Sequence, residues 1–158
     1  AIGDLIDTPW LAHVASAEGV AAVEHMAGQL PPPINYRQVP NCTYCAPEVG
    51  SIGLTEAQAK DAGHQVRVGT FPFSAIGKAA ILNESAGFVK IVADARDDEV
   101  LGVHIVGPHA TELIAEAAAA LRGELTVEEL IRTIHAHPTL HEAIHEAAEA
   151  VHGAAIHI

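Results

Sequence analysis

The sequence predicts an α+β fold in which helices pack on an antiparallel sheet. Two β-rich runs, "GFVKIVAD" and "EVLGVHIVG", are separated by the polar residues "ARDD" and indicate a long hairpin. Three segments with helical apolar stripes follow this hairpin towards the end of the chain. Strands that pair locally, followed by clustered helices, favour an α+β layer over a doubly wound sheet.

The first predicted helix runs from about Trp10 to Ala27. Pro9 stands at its start, alanines fill its middle and Gly28 follows its last turn. The preceding "AIGD" has the pattern of a strand end. The segment "QLPPPINYRQVP" then carries four prolines in twelve residues, so we predict an extended connection between two structural units.

Shorter elements are predicted between this connection and the hairpin. Thr55, with Gln58 three positions later, makes a capping box, and Gly63 supplies a left-handed stop. These signals predict a helix over residues 56–62. A strand from Gln65 to Phe71 is expected to follow.

Three further helices are predicted after the hairpin. The first spans about Thr111 to Arg122, the second opens with Thr126 and Glu129 as a capping box, and the third begins after Pro138 with Thr139 as its N-cap. Side chains predicted to be buried in the last two are Leu130, Ile131, Ile134, Leu140, Ala143, Ile144, Ala147, Ala148 and Val151.

The composition limits the possible partners. Twenty acidic residues against eight basic ones give a net charge of −12, which repels phosphate backbones and anionic membrane surfaces. No run approaches the roughly 18 apolar residues of a membrane-spanning helix, and the first residues lack the pattern of a signal peptide. We therefore expect a cytoplasmic protein that binds neither nucleic acid nor membrane.

The two cysteines form a C-x-x-C pair at Cys42 and Cys45. Such a pair can be a redox dithiol or half of a zinc site. A redox pair usually begins a helix, whereas this pair lies in an extended segment between Pro40 and Pro47. A structural or incidental role is favoured, with redox chemistry and metal binding as the open alternatives.

The segment "HAHPTLHEAIHEAAEAVHG" is rich in His and Glu and has three interpretations. In the simplest, His141, His145 and His152 belong to the solvated face of the last helix. In the second, "HEAIH" is an H-E-x-x-H zinc site with Glu142 as the base. Because Glu142 is also explained by helix capping and no third ligand is evident, we expect no metal site.

The third interpretation pairs His137 with Glu142. If the chain turns at Pro138, the carboxylate in the first helical turn can orient the imidazole and stabilise its protonated form. Such a pair is a general acid/base. The chain offers no convincing nucleophile or electron acceptor, so the remaining chemistry has to come from elsewhere.

"HAHPTLHEA" resembles the H-x-H-P-T-x-x-E signature of dihydrolipoamide dehydrogenases, a branch of the flavin-dependent pyridine nucleotide-disulfide oxidoreductases. The resemblance covers nearly the whole chain. "YRQVPNCTYCAPEVGSIGLTEAQAK" is similar to the start of that family's dimerisation domain, and "AIGD" with "LAHVASAEG" is similar to the motif that closes its flavin-binding domains. H-P-T-x-x-E is shared with other disulfide reductases, whereas the preceding "HA" and the following Leu140 favour the lipoamide branch.

The resemblance implies three regions. Residues 1–29 would end the FAD/NAD-binding region, residues 30–38 would be a Pro-rich linker, and residues 39–158 would form the dimerisation domain. His137 would be the base that deprotonates a dihydrolipoamide thiol, with Glu142 as its orienting partner. Residues that it implies near FAD are Asp4, Leu11, Ala12 and His13.

The implied activity is oxidation of protein-bound dihydrolipoamide by NAD, through FAD and a redox disulfide. The partners would be a second copy of the chain and a lipoyl-bearing protein of a 2-oxoacid dehydrogenase or glycine cleavage complex. The family's C-x-x-x-x-C motif and Gly-rich nucleotide fingerprints are missing here, so the fragment alone should be inactive. His141 replaces a commonly small residue and could crowd the substrate. The rival hypotheses are another flavin disulfide reductase and a stand-alone dimerisation module.

Overall fold

The computed structural model describes residues 1–158. The chain divides into two compact units, Ala1–Val39 and Pro40–Ile158. None of its helices is long and apolar enough to cross a membrane.

The first unit contains one long helix, α1 (Ala12–Met26), within two residues of the predicted span. Short 3-10 turns lie on either side of it, at Gly3–Leu5 and Tyr36–Gln38. The prediction of a strand end at "AIGD" was wrong, because the chain forms the first of these turns there. The carboxylate of Glu18, buried within α1, accepts hydrogen bonds from the Gly3 amide at 2.6 Å and from the Tyr36 hydroxyl at 2.9 Å.

The second unit is built on an antiparallel sheet of five strands in the order β1-β2-β5-β4-β3. The strands are β1 (Asn41–Thr43), β2 (Glu48–Gly53), β3 (Val66–Pro72), β4 (Phe88–Asp94) and β5 (Val100–Gly107). The predicted hairpin is β4 and β5, whose pairing shifts register at Val92 and Ala93. The α+β prediction is confirmed.

Five helices accompany the sheet. They are α2 (Glu56–Asp61), α3 (Gly77–Leu82), α4 (Ala110–Arg122), α5 (Val127–Arg132) and α6 (Glu142–Val151). Helix α4 packs on β2 and β5, and α6 packs on β3 and β4. Their buried aliphatic side chains form one core with residues of the sheet such as Val89, Ile91, Val103 and Ile105. The capping box of Thr55 and Gln58 starts α2 as predicted.

Two features of the C-terminal helices differ from the prediction. Helix α5 ends at Arg132 because Thr133 adopts an extended backbone, so Ile134 lies outside the helix and is 97% exposed. Helix α6 begins at Glu142 rather than after Thr139. The Thr139 hydroxyl donates to the Ala136 carbonyl at 2.7 Å and therefore does not act as the predicted N-cap.

Candidate active site

The predicted His137–Glu142 pair is formed. The His137 Nδ1 atom lies 2.8 Å from Glu142 Oε1, and the Thr139 amide donates to the other carboxylate oxygen at 2.9 Å. The His137 side chain is 77% exposed, whereas that of Glu142 is 27% exposed. The pair therefore presents an accessible imidazole held by a more sheltered carboxylate.

The pair lies where an irregular segment, residues 133–141, joins α5 to α6. Leu140 is buried and anchors this segment in the apolar core. Glu142 occupies the first turn of α6, where a negative charge is favoured by the helix dipole. Local packing and the start of a helix together place the carboxylate beside His137.

The charge state of Glu142 follows from its contacts. Burial opposes its ionisation, but hydrogen bonds from His137 and from the Thr139 amide outweigh burial and lower the pKa of the carboxyl. An ionised Glu142 accepts the Nδ1–H of His137. The Nε2 atom of a neutral imidazole is then the nitrogen that can take up a proton.

A cavity of about 580 Å³ contains this pair. His137, Glu142 and His145 line it, together with Ile134 and Ile156. Imidazole and carboxylate groups thus face a space that is bordered by apolar side chains. Such a lining can accept a substrate that has an aliphatic body and one ionisable end.

A second polar cluster lies beside the pair and was missed by the sequence reasoning. Glu116 of α4 has one oxygen 2.7 Å from His135 Nε2 and the other 2.7 Å from His141 Nδ1. The His135 ring meets that of His145 edge-on, with centroids 5.6 Å apart. The available signal was the position of Glu116 beside the apolar stripe of a predicted helix, which does not identify its partners.

The three histidines that we expected on a solvated face have partners that the sequence did not predict, although His141 and His152 keep solvent exposure. His141 is bound to Glu116 and does not line the His137 cavity. His145 packs against His135, and His152 pairs with Asp98 at 2.8 Å. The described side chains form no group of three or more potential metal ligands.

The C-terminal residues also contribute to the cavity. Glu146, which is 3% exposed, accepts hydrogen bonds from the Ile156 amide at 2.9 Å and from the His157 amide at 3.4 Å. Its second oxygen lies 2.5 Å from His157 Nδ1. One buried carboxylate therefore holds the segment whose residues Ile156 and His157 form part of the cavity wall.

The C-x-x-C cysteines are both free thiols. Burial, reinforced by the nearby carboxylates of Glu48 and Glu112, raises the pKa of Cys42. Cys45 is exposed, and its Sγ atom lies 2.9 Å from the Pro47 carbonyl oxygen. The Cys42 thiol, whose raised pKa keeps it protonated, is a poor nucleophile, which favours the structural or incidental interpretation.

The residues that the resemblance implied near FAD all lie in the first unit. Asp4 is exposed within the turn Gly3–Leu5. Helix α1 begins at Ala12, after Leu11, which offers no side-chain cap, and His13 is exposed in its first turn. An accessible carboxylate and a helix start without a side-chain cap are compatible with the hydroxyl and electron-rich groups of a flavin nucleotide.

Comparison with known proteins identifies the domain type. The profile of the pyridine nucleotide-disulphide oxidoreductase dimerisation domain matches residues 39–148. The dihydrolipoyl dehydrogenase of Bacillus subtilis is 57% identical over 157 residues, which cover 99% of this chain and 33% of that protein. That of Haloferax volcanii is 51% identical, with 99% of this chain and 33% of the relative covered.

Solved structures agree with the sequence comparison. The crystal structure of LpdA from Mycobacterium tuberculosis superposes with a TM-score of 0.89 at 32% identity, covering 94% of this chain and 32% of LpdA. The chain thus spans about one third of the length of the relatives that it matches. From its profile match and its fold, the chain belongs to the pyridine nucleotide-disulphide oxidoreductase dimerisation-domain family.

Proposed function

We propose that this chain is the C-terminal part of a dihydrolipoyl dehydrogenase, in which His137 and Glu142 act as the acid/base pair. The observation that carries the proposal is the 2.8 Å contact between an exposed imidazole and a sheltered carboxylate. It occurs in a domain whose relatives in Bacillus subtilis and Haloferax volcanii are dihydrolipoyl dehydrogenases.

The proposed reaction oxidises a protein-bound dihydrolipoyl dithiol to its disulfide. The dithiol loses two electrons and two protons, and NAD⁺ finally accepts the electrons as a hydride. Nε2 of His137 would accept a thiol proton and later release it, while Glu142 holds Nδ1 and stabilises the imidazolium. FAD and NAD would supply the electron transfer when bound to the complete enzyme.

The regions that bind the cofactors lie mainly outside this chain in our proposal. Residues 1–29 would close the FAD/NAD-binding region, residues 30–38 would connect it, and residues 39–158 would be the dimerisation domain. Residues that would contact FAD are Asp4, Leu11, Ala12 and His13. The redox disulfide would be formed by cysteines elsewhere in the complete protein, and the fragment alone would be inactive.

The proposed active assembly is a homodimer in which each His137 serves the flavin of the other subunit. The exposed imidazole supports this arrangement, because a base that acts within its own domain would usually be enclosed beside its reactants. Apolar Ile134 and Ile156, both exposed at the cavity, supply surface that a second copy could cover. A lipoyl-bearing protein would deliver the substrate, and we propose a cytoplasmic location.

The test is replacement of His137 with Gln in the complete enzyme. We expect turnover of dihydrolipoamide with NAD to fall by about 10² to 10⁴-fold, the range for a positioned acid/base. His152→Gln is the matched control, because His152 also pairs with a carboxylate but lies outside the cavity. Near-normal turnover of His137→Gln would overturn the proposal.

Substrate specificity can be measured with the same preparation. Dihydrolipoamide with NAD is compared with glutathione disulfide and NADPH, each at saturating cofactor. A clear preference for the first pair is expected. A preference for the second would assign the chain to another flavin disulfide reductase.

A further inference from the structure

The Glu116 cluster joins α4 to the segment that carries the acid/base pair. Each carboxylate oxygen of Glu116 contacts a different imidazole, His135 or His141, and both distances are 2.7 Å. The Glu116 side chain is itself largely sheltered from solvent. A carboxylate that uses both oxygens in this way fixes two groups relative to one helix.

The two imidazoles lie at the ends of the segment that positions the pair. His135 precedes His137 by two residues, and His141 directly precedes Glu142. Hydrogen bonds within the segment are local, such as that from the Thr139 hydroxyl to the Ala136 carbonyl. The Glu116 bridge therefore links an irregular segment to a regular element of the core.

The environment of His135 strengthens this role. The His135 side chain is 8% exposed, and its Nδ1 atom has no hydrogen-bond partner. The Glu116 hydrogen bond raises the pKa of His135 despite its burial. The nearby Thr133 backbone contributes to raising the pKa of His135. Burial opposes ionisation of Glu116, but the two imidazoles outweigh it and lower its pKa.

We propose that Glu116 is a positioning residue for the His137–Glu142 pair, because it holds both ends of the 135–141 segment through one oxygen each. This inference rests on the proposed function. It assigns roles to His135 and His141 as the two attachment points of the catalytic segment. Glu116 acts through these histidines and needs no contact with substrate.

The first experiment replaces Glu116 in the complete enzyme. Glu116→Ala removes both attachments, and we expect kcat for dihydrolipoamide oxidation to fall by about 10 to 100-fold, as small displacements of catalytic groups do. KM for NAD should stay unchanged. Glu112→Ala is the matched control, one turn earlier on α4, where the carboxylate is exposed. Unaltered kcat in Glu116→Ala would overturn the inference.

A double-mutant cycle separates positioning from general destabilisation. If Glu116 acts through His137, Glu116→Ala should change turnover by less than about twofold in the His137→Gln background. An equal loss in both backgrounds would contradict positioning. If the proposed function itself is wrong, the single variant His137→Gln will show normal turnover. That outcome is distinct from the outcome of the cycle.

Glu116→Gln keeps the shape of the side chain and tests the inference if the alanine variant does not fold. Its amide can accept from His135 and donate to a neutral His141, but not to a protonated one. We therefore expect Glu116→Gln to lose part of the wild-type kcat, and to change turnover by less than about twofold in the His137→Gln background. The same loss in both backgrounds would contradict the bridge.

Discussion

Single carboxylates organise the histidine-rich end of this chain. Glu116, Glu142 and Glu146 each accept a hydrogen bond from at least one imidazole. In all three the pKa is lowered, because hydrogen bonds outweigh the burial that opposes ionisation. Part of the acidic composition thus serves to hold histidines in place.

Glu146 provides a test of this pattern at a single residue. Its pKa is depressed by the contacts to His157 and the Ile156 amide, so its stabilising effect exists above the ordinary carboxyl pKa of 4.5 and is lost as pH falls through the folded-state pKa. Glu146→Gln should speed hydrogen exchange of the Ile156 and His157 amides at neutral pH. Acidification below the lowered folded-state pKa of Glu146 should give wild type the same behaviour.

The control for this measurement is Glu124→Gln, at an exposed residue after α4. It should leave exchange at the C-terminus unchanged. Slow exchange of both amides in Glu146→Gln would show that the terminal residues are held by other contacts.

Helix α6, which carries Glu142, packs unusually close to the sheet. Gly69 in β3 makes this possible, because a Cβ atom there would collide with the Ala147 carbonyl oxygen and lie 2.5 Å from the Val151 amide nitrogen. Ala147 and Ala148, both buried, keep the facing side of the helix small. The close approach of α6 to β3 therefore helps to determine where the His137–Glu142 pair lies.

Substitution of Gly69 tests this element packing. Gly69→Ala should reduce the free energy of unfolding by about 1–3 kcal/mol, the usual cost of overpacking. Gly77→Ala is the control, since an added Cβ there meets no atom within 4 Å and its backbone is not left-handed. Urea unfolding monitored by circular dichroism measures both, and equal stabilities for the two variants would contradict the close packing.

For the whole molecule, the placement of apolar side chains around the pair is informative. Ile134 and Ile156 line the cavity, yet they are 97% and 68% exposed in the single chain. Exposed aliphatic residues beside an exposed imidazole are expected where another surface covers them. The proposed homodimer would supply that surface.

The dimer can be tested by placing a charge on this surface. Ile134→Glu should leave the folded domain intact, because Ile134 contributes little to the core, but should shift the complete enzyme towards monomers in light scattering. Ile81→Glu, at an exposed isoleucine of α3 outside the cavity, is the control. If Ile134→Glu remains dimeric, or if both variants dissociate equally, the interface is not centred on the cavity.

Local signals predicted much of the fold. The β-rich runs predicted β4 and β5, the Thr55 capping box predicted α2, and the apolar stripe predicted α4, each within one or two residues. The strands β1 and β2 were not predicted, because short segments near Gly and Pro obtain their conformation from pairing with β5 and with each other.

The sequence by itself determined the α+β class, the absence of a long apolar span and the His137–Glu142 pair, whose members are five residues apart and meet through one local turn. Only the tertiary structure decided the contacts of Glu116, because its partners His135 and His141 follow it by 19 and 25 residues. The tertiary structure also placed Ile134 outside the apolar core. Local backbone preference acts over a few residues, whereas partners distant in the chain are selected by the packing of α4 and α6 on the sheet.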